Sequence, residues 1–550
     1  LGFRDLANEL GLSEPEDLDP MKYRLRAMER DGQILFNRNK EYVPVQKSDL
    51  IAGRVTGHSD GFGFMIPDDG SDDLFLHAKQ MRKVMHGDKV LAMVKEIDKR
   101  GRKEGAIVEV LERNTTEAVG RYFGGEGGIG FVRPDNAKLS QDIVIPAESS
   151  QGATNGQIVV VGIVEHPTVR HQAVGKIVDI LGDHMAPGME IDIALRSHDL
   201  PHVWTKEVLA ESEKLDEDVA DADKDVRYDF RGVPLVTIDG EDSRDFDDAV
   251  FCQREGDGWR LVVAIADVSH YVPIGSELDQ EAWNRSTSVY FPAEVIPMLP
   301  EAISNGLCSL NPAVDRLCMV CSMLISADGE ILDYEFLEGV MHSAARLTYN
   351  KMAAIVVDLD DELREEYANI VHHLDDLYSL YHIFREARDK RGSMDFETTE
   401  TRIIFGEDRK IENILPTERN DAHKIIEECM ITANVCSARF LKDHNMPALH
   451  RVHDGPKEES IEKVQEFLNG LGLKLGGGDK PQPKDYANIL ASIKERPDAH
   501  LIQTVMLRSL SRAVYAPVDL AKPEAAFHFG LAQTDYAHFT SPIRRYPDLL

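Results

Sequence analysis

The sequence predicts a multidomain α+β chain: a small helical module ending in a β-hairpin, two small β-barrels, and a large mixed α/β domain. Three observations carry this reading. Residues 46–190 contain an internal repeat of short alternating strands punctuated by glycine. The residues before it space their apolar side chains at helical intervals. From about residue 191 the repeat stops, and long mixed segments run to Leu550. At 550 residues the chain is too long for one core. The domains are read as 1–45, 46–113, 114–190 and 191–550.

In the first module, Phe3 to Leu10 has helical spacing, and Pro20 to Glu29 offers a second amphipathic helix with Leu25 and Met28 inward. Arg30-Asp31-Gly32-Gln33 then turns the chain into Ile34-Leu35-Phe36, with Tyr42-Val43-Pro44-Val45 returning. Helix, helix and wing resemble a winged helix-turn-helix; a protein-contact or capping module is the alternative.

Within the repeat, Ile51-Ala52-Gly53-Arg54-Val55 followed by Gly61-Phe62-Gly63-Phe64 parallels Ala118-Val119-Gly120-Arg121-Tyr122 followed by Gly128-Ile129-Gly130-Phe131. Each copy closes with an apolar strand, Gly105 to Leu111 and Val174 to Leu181. Short strands of this kind argue for two small barrels. Gly61-Phe62-Gly63-Phe64 and Leu74-Phe75-Leu76-His77 resemble the nucleic-acid-binding motifs of cold-shock domains, which makes both copies OB-type cold-shock barrels. Phe62, Phe64, Phe75 and His77 on one face would let bases stack, at ~1–3 kcal/mol per base; the alternative is that some of these rings are core. The second copy has Ile129 where the first has Phe62, so its platform is expected to be weaker.

Composition is that of ordinary globular protein, 42% hydrophobic and 29% charged. No stretch approaches the ~20 apolar residues of a membrane span, so no membrane partner is expected. The N-terminus lacks a secretion signal, and six cysteines in so long a chain do not form a disulfide framework. A reducing cytoplasm fits best. Cys318-Met-Val-Cys321 is a CxxC without a partner pair, read as structural rather than zinc-binding. The net charge of −34 opposes phosphate binding in sum. Locally it does not: Lys79 to Lys103 holds nine Lys/Arg against three Asp/Glu. Any RNA path should therefore be narrow and basic, whereas Glu207 to Asp229 reads as a solvated acidic segment.

Four clusters in the large domain carry chemistry. Asp239 to Asp248 holds six carboxylates in ten residues, with Asp239, Asp245, Asp247 and Asp248 spaced D-x5-D-x-D-D between apolar runs. So much like charge beside core strands calls for hard cations such as Mg²⁺, and points to metal-assisted phosphodiester cleavage. Tyr290 follows Asn284-Arg285-Ser286-Thr287-Ser288 and opens a proline-rich loop ending at Pro300, where an aromatic can clamp a terminal base or be core. Asn420, His423 and Glu427, spaced i, i+3, i+7, share a helix face that either meets solvent or holds a ribose through its hydroxyls. Arg544 and Arg545, after Thr540-Ser541-Pro542, offer a phosphate fork. Helices are expected at 361–390, 420–444, 457–470, 484–495 and 500–515.

Together these motifs resemble those of the ribonuclease II/ribonuclease R family of hydrolytic 3′→5′ exoribonucleases, and the winged-helix-like module is closer to ribonuclease R. The resemblance implies a ribonuclease-type catalytic domain over 191–550 and, past Leu550, a further RNA-binding module. It implies a Mg²⁺ cofactor held by Asp239 and Asp248 with Asp245 completing the acidic site, and Asp247 as the aspartate most critical for hydrolysis. It further implies that Tyr290 packs on the 3′-terminal nucleotide, with Phe396 of Met394-Asp395-Phe396-Glu397 as its stacking partner. Glu427 would grip the terminal ribose and Arg544 stabilise the scissile phosphate. The partner is then RNA with a single-stranded 3′ end, and the product nucleoside 5′-monophosphate. Alternatives are a non-catalytic RNA chaperone and an endonuclease.

Overall fold

Each copy of the repeat closes on itself as a five-stranded barrel. The strands are Ile51–Gly57, Gly63–Pro67, Leu74–Leu76, Lys89–Ile97 and Lys103–Glu112 in the first, and Glu117–Gly124, Gly130–Pro134, Ile143–Ile145, Ile158–Glu165 and Val174–Gly182 in the second. Around both barrels the strands neighbour in the order first, second, third, fifth, fourth. The third and fifth pair in parallel, which closes an otherwise antiparallel OB-type barrel. Side chains alternate in and out with the strand period of two, so Val55, Met65, Leu74, Leu76 and Val90 fill the first interior. Val132, Ile143, Ile145, Val159 and Val161 fill the second.

The computed structural model describes residues 1–30, 34–36, 41–44, 50–97, 101–125, 128–182, 189–198, 200–292, 294–396, 400–406, 410–417, 419–517 and 527–550. They divide into two compact units, residues 1–200 with 407–410, and residues 201–406 with 411–550. The first unit opens with helices Phe3–Glu9 and Pro15–Arg30 and an antiparallel pair, Ile34–Phe36 with Tyr42–Pro44. Most of the expected turn, Asp31 to Gln33, and Val45 lie outside the described residues. The second helix starts at Pro15 rather than Pro20. A proline at the helix start has no N–H of its own to leave unpaired, and Glu16 and Asp17 suit the positive helix start.

The second unit is built on a seven-stranded sheet. In spatial order its strands are Tyr228–Asp229, Ile331–His342, Asp315–Ile325, Gly258–Ala266, Asp248–Glu255, Val236–Asp239 and Ala345–Thr348. Both faces of the central strands are covered, which explains their nearly unbroken apolar runs. On one face, helices Tyr349–Val356, Val371–Arg391 and Asp421–Asp443 contribute to a core with Val263, Ile265 and Cys321. On the other, helix Glu277–Arg285 and a π-helical turn at Ala302–Leu307 pack with Val262, Ala264 and Cys318. Cys318 and Cys321 thus face opposite cores and cannot share a zinc ion. All six cysteines are buried free thiols. No described helix is long and apolar enough to cross a membrane.

Two helical expectations change. The 361–390 segment is two helices, Asp361–Glu366 and Val371–Arg391, because the chain bends between them to bury Ile370 and pack Tyr367 in the same core. The 500–515 segment is helical only over Ala499–Ser509; Val514–Pro517 instead pairs with Leu449–Val452, where Arg451 stacks on Tyr515.

The repeated glycine in Ala52-Gly53-Arg54 and Val119-Gly120-Arg121 has one physical cause. A Cβ at Gly53 would sit 2.3 Å from the Ile66 carbonyl oxygen, and one at Gly120 2.2 Å from that of Arg133. Gly120→Ala is therefore expected to destabilise the second barrel by about 1–3 kcal/mol, read as earlier thermal unfolding and faster proteolysis within 114–190. An unchanged melting temperature would mean that the Arg133 strand yields freely.

Candidate active site

The acidic segment lies at the point where two core strands end. Ile238 is buried and Asp239 terminates its strand; Asp248 begins the next, and Val236 pairs with Val250 in antiparallel register. The intervening loop is tied by Phe246, buried beneath it, whose N–H donates to Ser309 Oγ at 2.9 Å. Asp239 accepts from the Gly240 N–H and from Ser243 Oγ, each at 2.7 Å.

Asp247 is 4% exposed. Its Oδ1 accepts the Ile543 N–H at 2.8 Å, and its Oδ2 lies 3.4 Å from Arg544 Nε. Burial drives its pKa well above the ordinary carboxylate range; Arg544 and the Ile543 N–H oppose the shift, while Asp248 and Asp245 add to it. Asp248 is pushed up to about 7, by burial first and then by Asp239, against the pull of Arg544. Buried carboxylates shifted upward together signal a site built to receive positive charge.

Two loops complete the site. The Arg544 carbonyl accepts the Ser288 N–H and the Thr287 hydroxyl, each at 2.9 Å, and the Ser286 carbonyl accepts the Tyr546 N–H at 2.9 Å. This pairing sets Tyr290 against the acidic loop, where its hydroxyl donates to Asp245 Oδ2 at 3.0 Å. Burial and Asp245 raise the Tyr290 pKa, so it stays a donor. The ring remains half-exposed.

The adjacent arginines do not form a fork. Backbone at Arg545 is extended (φ −138°, ψ 121°) and the side chains diverge. Arg544 faces Asp247 and stays 48% exposed, whereas Arg545 donates to the buried Asp548 Oδ1 at 2.6 Å.

Helix Asp421–Asp443 brings the third cluster, with its members in different roles. Asn420 is the N-cap: its Oδ1 accepts the His423 N–H at 3.4 Å, and its Nδ2 donates to the Tyr349 carbonyl at 3.2 Å. His423 stacks on Tyr349 with ring centroids 3.9 Å apart. Glu427 accepts from Arg388 Nη1 at 3.1 Å and Arg419 Nη2 at 2.7 Å. Phe396 packs on the separate cluster of Met394, Leu475 and Tyr486, and no ring contact joins it to Tyr290 among the described residues.

The sequence reading overlooked Tyr349 and Arg388. Tyr349 follows a core strand; burial, Asp239 and Asp248 raise its pKa, which marks it as a wall of the acidic site. Its signal is an aromatic that opens a helix directly after Thr348, the helix N-cap.

On the first barrel, Phe62, Phe64 and Phe75 form one cluster with centroids 5.5–5.9 Å apart, and His58 stacks on Phe62 at 4.2 Å. His77 is exposed and caps helix Ala78–Met81. The second barrel carries a platform of its own. Phe123 pairs across strands with Phe131, stacked at 5.1 Å, and Arg133 lies over Phe123 at 5.4 Å. By register Phe123 replaces Thr56, and Val144 replaces Phe75, so the aromatic pair has moved one strand over. Ile129 is exposed.

OB-type barrels joined to a mixed sheet with an acidic, arginine-capped edge define a class of multidomain proteins with an RNB-type domain. Residues 227–550 match the model of the RNB domain, residues 131–205 that of the cold shock domain, and residues 53–110 that of the ribonuclease B OB domain. The chain belongs to the ribonuclease II/ribonuclease R family. It is 53% identical over 546 residues to Ribonuclease R of Escherichia coli (strain K12), covering 99% of this chain and 66% of that protein. It is 42% identical to Ribonuclease R of Buchnera aphidicola subsp. Acyrthosiphon pisum (strain APS), covering 100% of this chain and 74% of that one. Mycoplasma genitalium RNase R, solved with ribose-methylated single-stranded RNA, superimposes with a TM-score of 0.82 at 26% identity, covering 91% of this chain and 78% of that one. Yeast Ssd1, a pseudonuclease, shares the fold at TM-score 0.67 and 18% identity, covering 92% of this chain and 68% of that one. The chain thus spans 66% of the length of the first of these relatives.

The raised pKa of Asp248 sets a pH dependence. Below an unfolded carboxyl's pKa near 4 the group is protonated in both states, and above about 7 the folded protein must ionise it at a cost. In chelator-treated protein, stability carried by this carboxyl is expected to fall between about pH 4 and pH 7 and to level off above that. Asp248→Asn should flatten that part of the thermal-unfolding profile; a profile identical to wild type would remove Asp248 as its source.

Proposed function

We propose that this chain is the barrel and catalytic portion of a divalent-metal-dependent, processive 3′→5′ exoribonuclease that hydrolyses RNA to nucleoside 5′-monophosphates. The observation that carries the reading is the buried Asp247, gripped by the Ile543 N–H and faced by Arg544. The ribonucleases R at 42–53% identity support it, as does the RNA bound to the Mycoplasma relative. No ready-made set of three His, Cys, Asp or Glu ligands occurs among the described residues. Mg²⁺ is commonly held by one or two carboxylates together with waters and substrate phosphates, and the mutually repelling Asp239, Asp247 and Asp248 fit that donor set. Asp239 and Asp248 would hold the ion, with Asp245 and Asp247 completing the charge. When bound, such an ion supplies Lewis acidity and a readily deprotonated water.

In hydrolysis water adds to the phosphorus of the last linkage, the bond to the penultimate 3′-oxygen breaks, and that oxygen takes a proton. Arg544 offers fixed positive charge to the phosphate as its negative charge grows. Tyr290, fixed by its bond to Asp245, presents its ring to the terminal base, with Phe396 as the second stacking surface. Glu427 holds the ribose hydroxyls, which separates RNA from DNA. Phe62, Phe64 and Phe75 stack single-stranded RNA with little regard to sequence, and a 3′ tail extending from structured RNA would enter the same way.

The alternative is a non-catalytic RNA chaperone, but all four aspartates and Arg544 stand in place here.

Asp247→Asn is expected to keep RNA affinity within about threefold and to lower the rate of 5′-monophosphate release by at least about a thousandfold. Wild-type turnover in that variant would refute the site. A circular RNA should resist the protein while its linear form is consumed; efficient cleavage of the circle would replace the exonuclease reading by an endonuclease.

A further inference from the structure

We propose that Arg388 is a positioning residue that couples the two elements holding the RNA 3′ end, Glu427 on its helix and the Met394–Phe396 segment. The inference rests on the exoribonuclease reading above.

Arg388 lies near the end of helix Val371–Arg391 and is 4% exposed. One guanidinium reaches both elements. Its Nη1 donates to Glu428 Oε1 at 2.7 Å and to Glu427 Oε1 at 3.1 Å, and its Nη2 reaches the Met394 carbonyl at 3.5 Å, two residues before Phe396. The neighbouring Arg385 binds Asp395 Oδ2 at 2.5 Å and lies 3.8 Å from Glu428. Arg419 closes the far side on Glu427 Oε2. Three guanidinium groups therefore bond three carboxylates, those of Asp395, Glu427 and Glu428, with Arg391 adding charge beside Glu428.

The network is shut at one end and open at the other. The Glu428 side chain is 5% exposed and the Glu427 side chain 34%. Stability alone does not account for this arrangement, because buried ion pairs are often matched by apolar packing of equal volume. The Arg388–Glu428 pair would by itself neutralise both buried charges, although Arg388 Nε keeps no hydrogen-bond partner. The further bonds to Glu427 and Met394 instead fix the one carboxylate that faces outward, and strap the segment that presents Phe396. That segment is also held by the Met394 N–H on the Gly530 carbonyl at 3.1 Å. A lysine keeps the charge opposite Glu428, but its single compact head cannot span both partners.

The test uses binding in an Asp247→Asn background, so that no turnover intervenes. RNA ending in a ribonucleotide is compared with the same RNA ending in a 2′-deoxynucleotide. Arg388→Lys is expected to lower the preference for the ribose end by about five- to tenfold, Glu427→Ala to do the same, and the double variant to add little, as coupled neighbours do. Glu428→Gln keeps shape and a hydrogen-bond acceptor, and should lower the preference by about two- to threefold; it serves if Arg388→Lys does not fold. An undiminished preference in Arg388→Lys or its substitute, alongside a loss in Glu427→Ala, overturns the coupling and leaves the exoribonuclease reading standing. A full preference in Glu427→Ala overturns the assignment of Glu427, and the coupling with it.

Discussion

The constraint on which the second unit depends is the burial of like charge at the end of a core strand. Asp247 and Asp248 sit where apolar strands on both sides exclude water, and Asp248 further raises the cost of ionising Asp247, as Asp239 does for Asp248. Such a cluster persists only if other parts of the chain answer it. The Ile543 N–H and Arg544 do so directly, and Tyr290 does so through Asp245. Ile543 and Arg544 come from one loop and Tyr290 from another, and their convergence fixes how the loops at 286–290 and 541–548 must pack. The acidic edge organises its surroundings because leaving it unanswered would cost several kcal/mol per charge.

Much of this was legible in the sequence, and the reason is local. The six carboxylates lie within ten residues between strand-like runs, and the barrels repeat their glycine and aromatic spacing within one chain. Residues whose roles depend on distant partners were not legible. Arg388 acts on a carboxylate 39 residues away, and nothing in Arg388-Asp389-Lys390-Arg391 distinguishes the buried cation from the exposed ones. Spacing groups Asn420 with His423 and Glu427 as one polar stripe, yet Asn420 caps the helix, a role that its place ahead of an apolar run also suggests. In the second barrel, Ile129 in place of an aromatic suggests a weaker platform. Strand alternation makes Tyr122 core and turns Phe123 outward, beside Phe131, a relation visible only once cross-strand register is known.

The formal charge of −34 illustrates a related point. Net charge governs long-range repulsion, whereas phosphate recognition is settled within a Debye length of about 8–10 Å. The carboxylates of the acidic edge contribute to the total, but a cation there would reverse their effect on a phosphate. Elsewhere the second barrel places Arg133 over the Phe123 ring, with Asp142 beside it, so that positive charge is held locally against an aromatic face. An acidic protein and a locally attractive RNA surface are therefore compatible.

The divergence of Arg544 and Arg545 completes the argument from constraint to site. Asp548 Oδ1 accepts both Arg545 and the Ser541 N–H, which ties the two ends of the loop together. With its ends closed, the loop has one way to run: Ile543 turns into the core beside Phe246 and Leu310, its N–H meets Asp247, and the next side chain lies along the acidic edge. Arg545 is thus the residue that makes the loop, which leaves Arg544 half-exposed and free to meet a second anion. Two identical side chains, one residue apart, are separated in role by what each finds within hydrogen-bond reach.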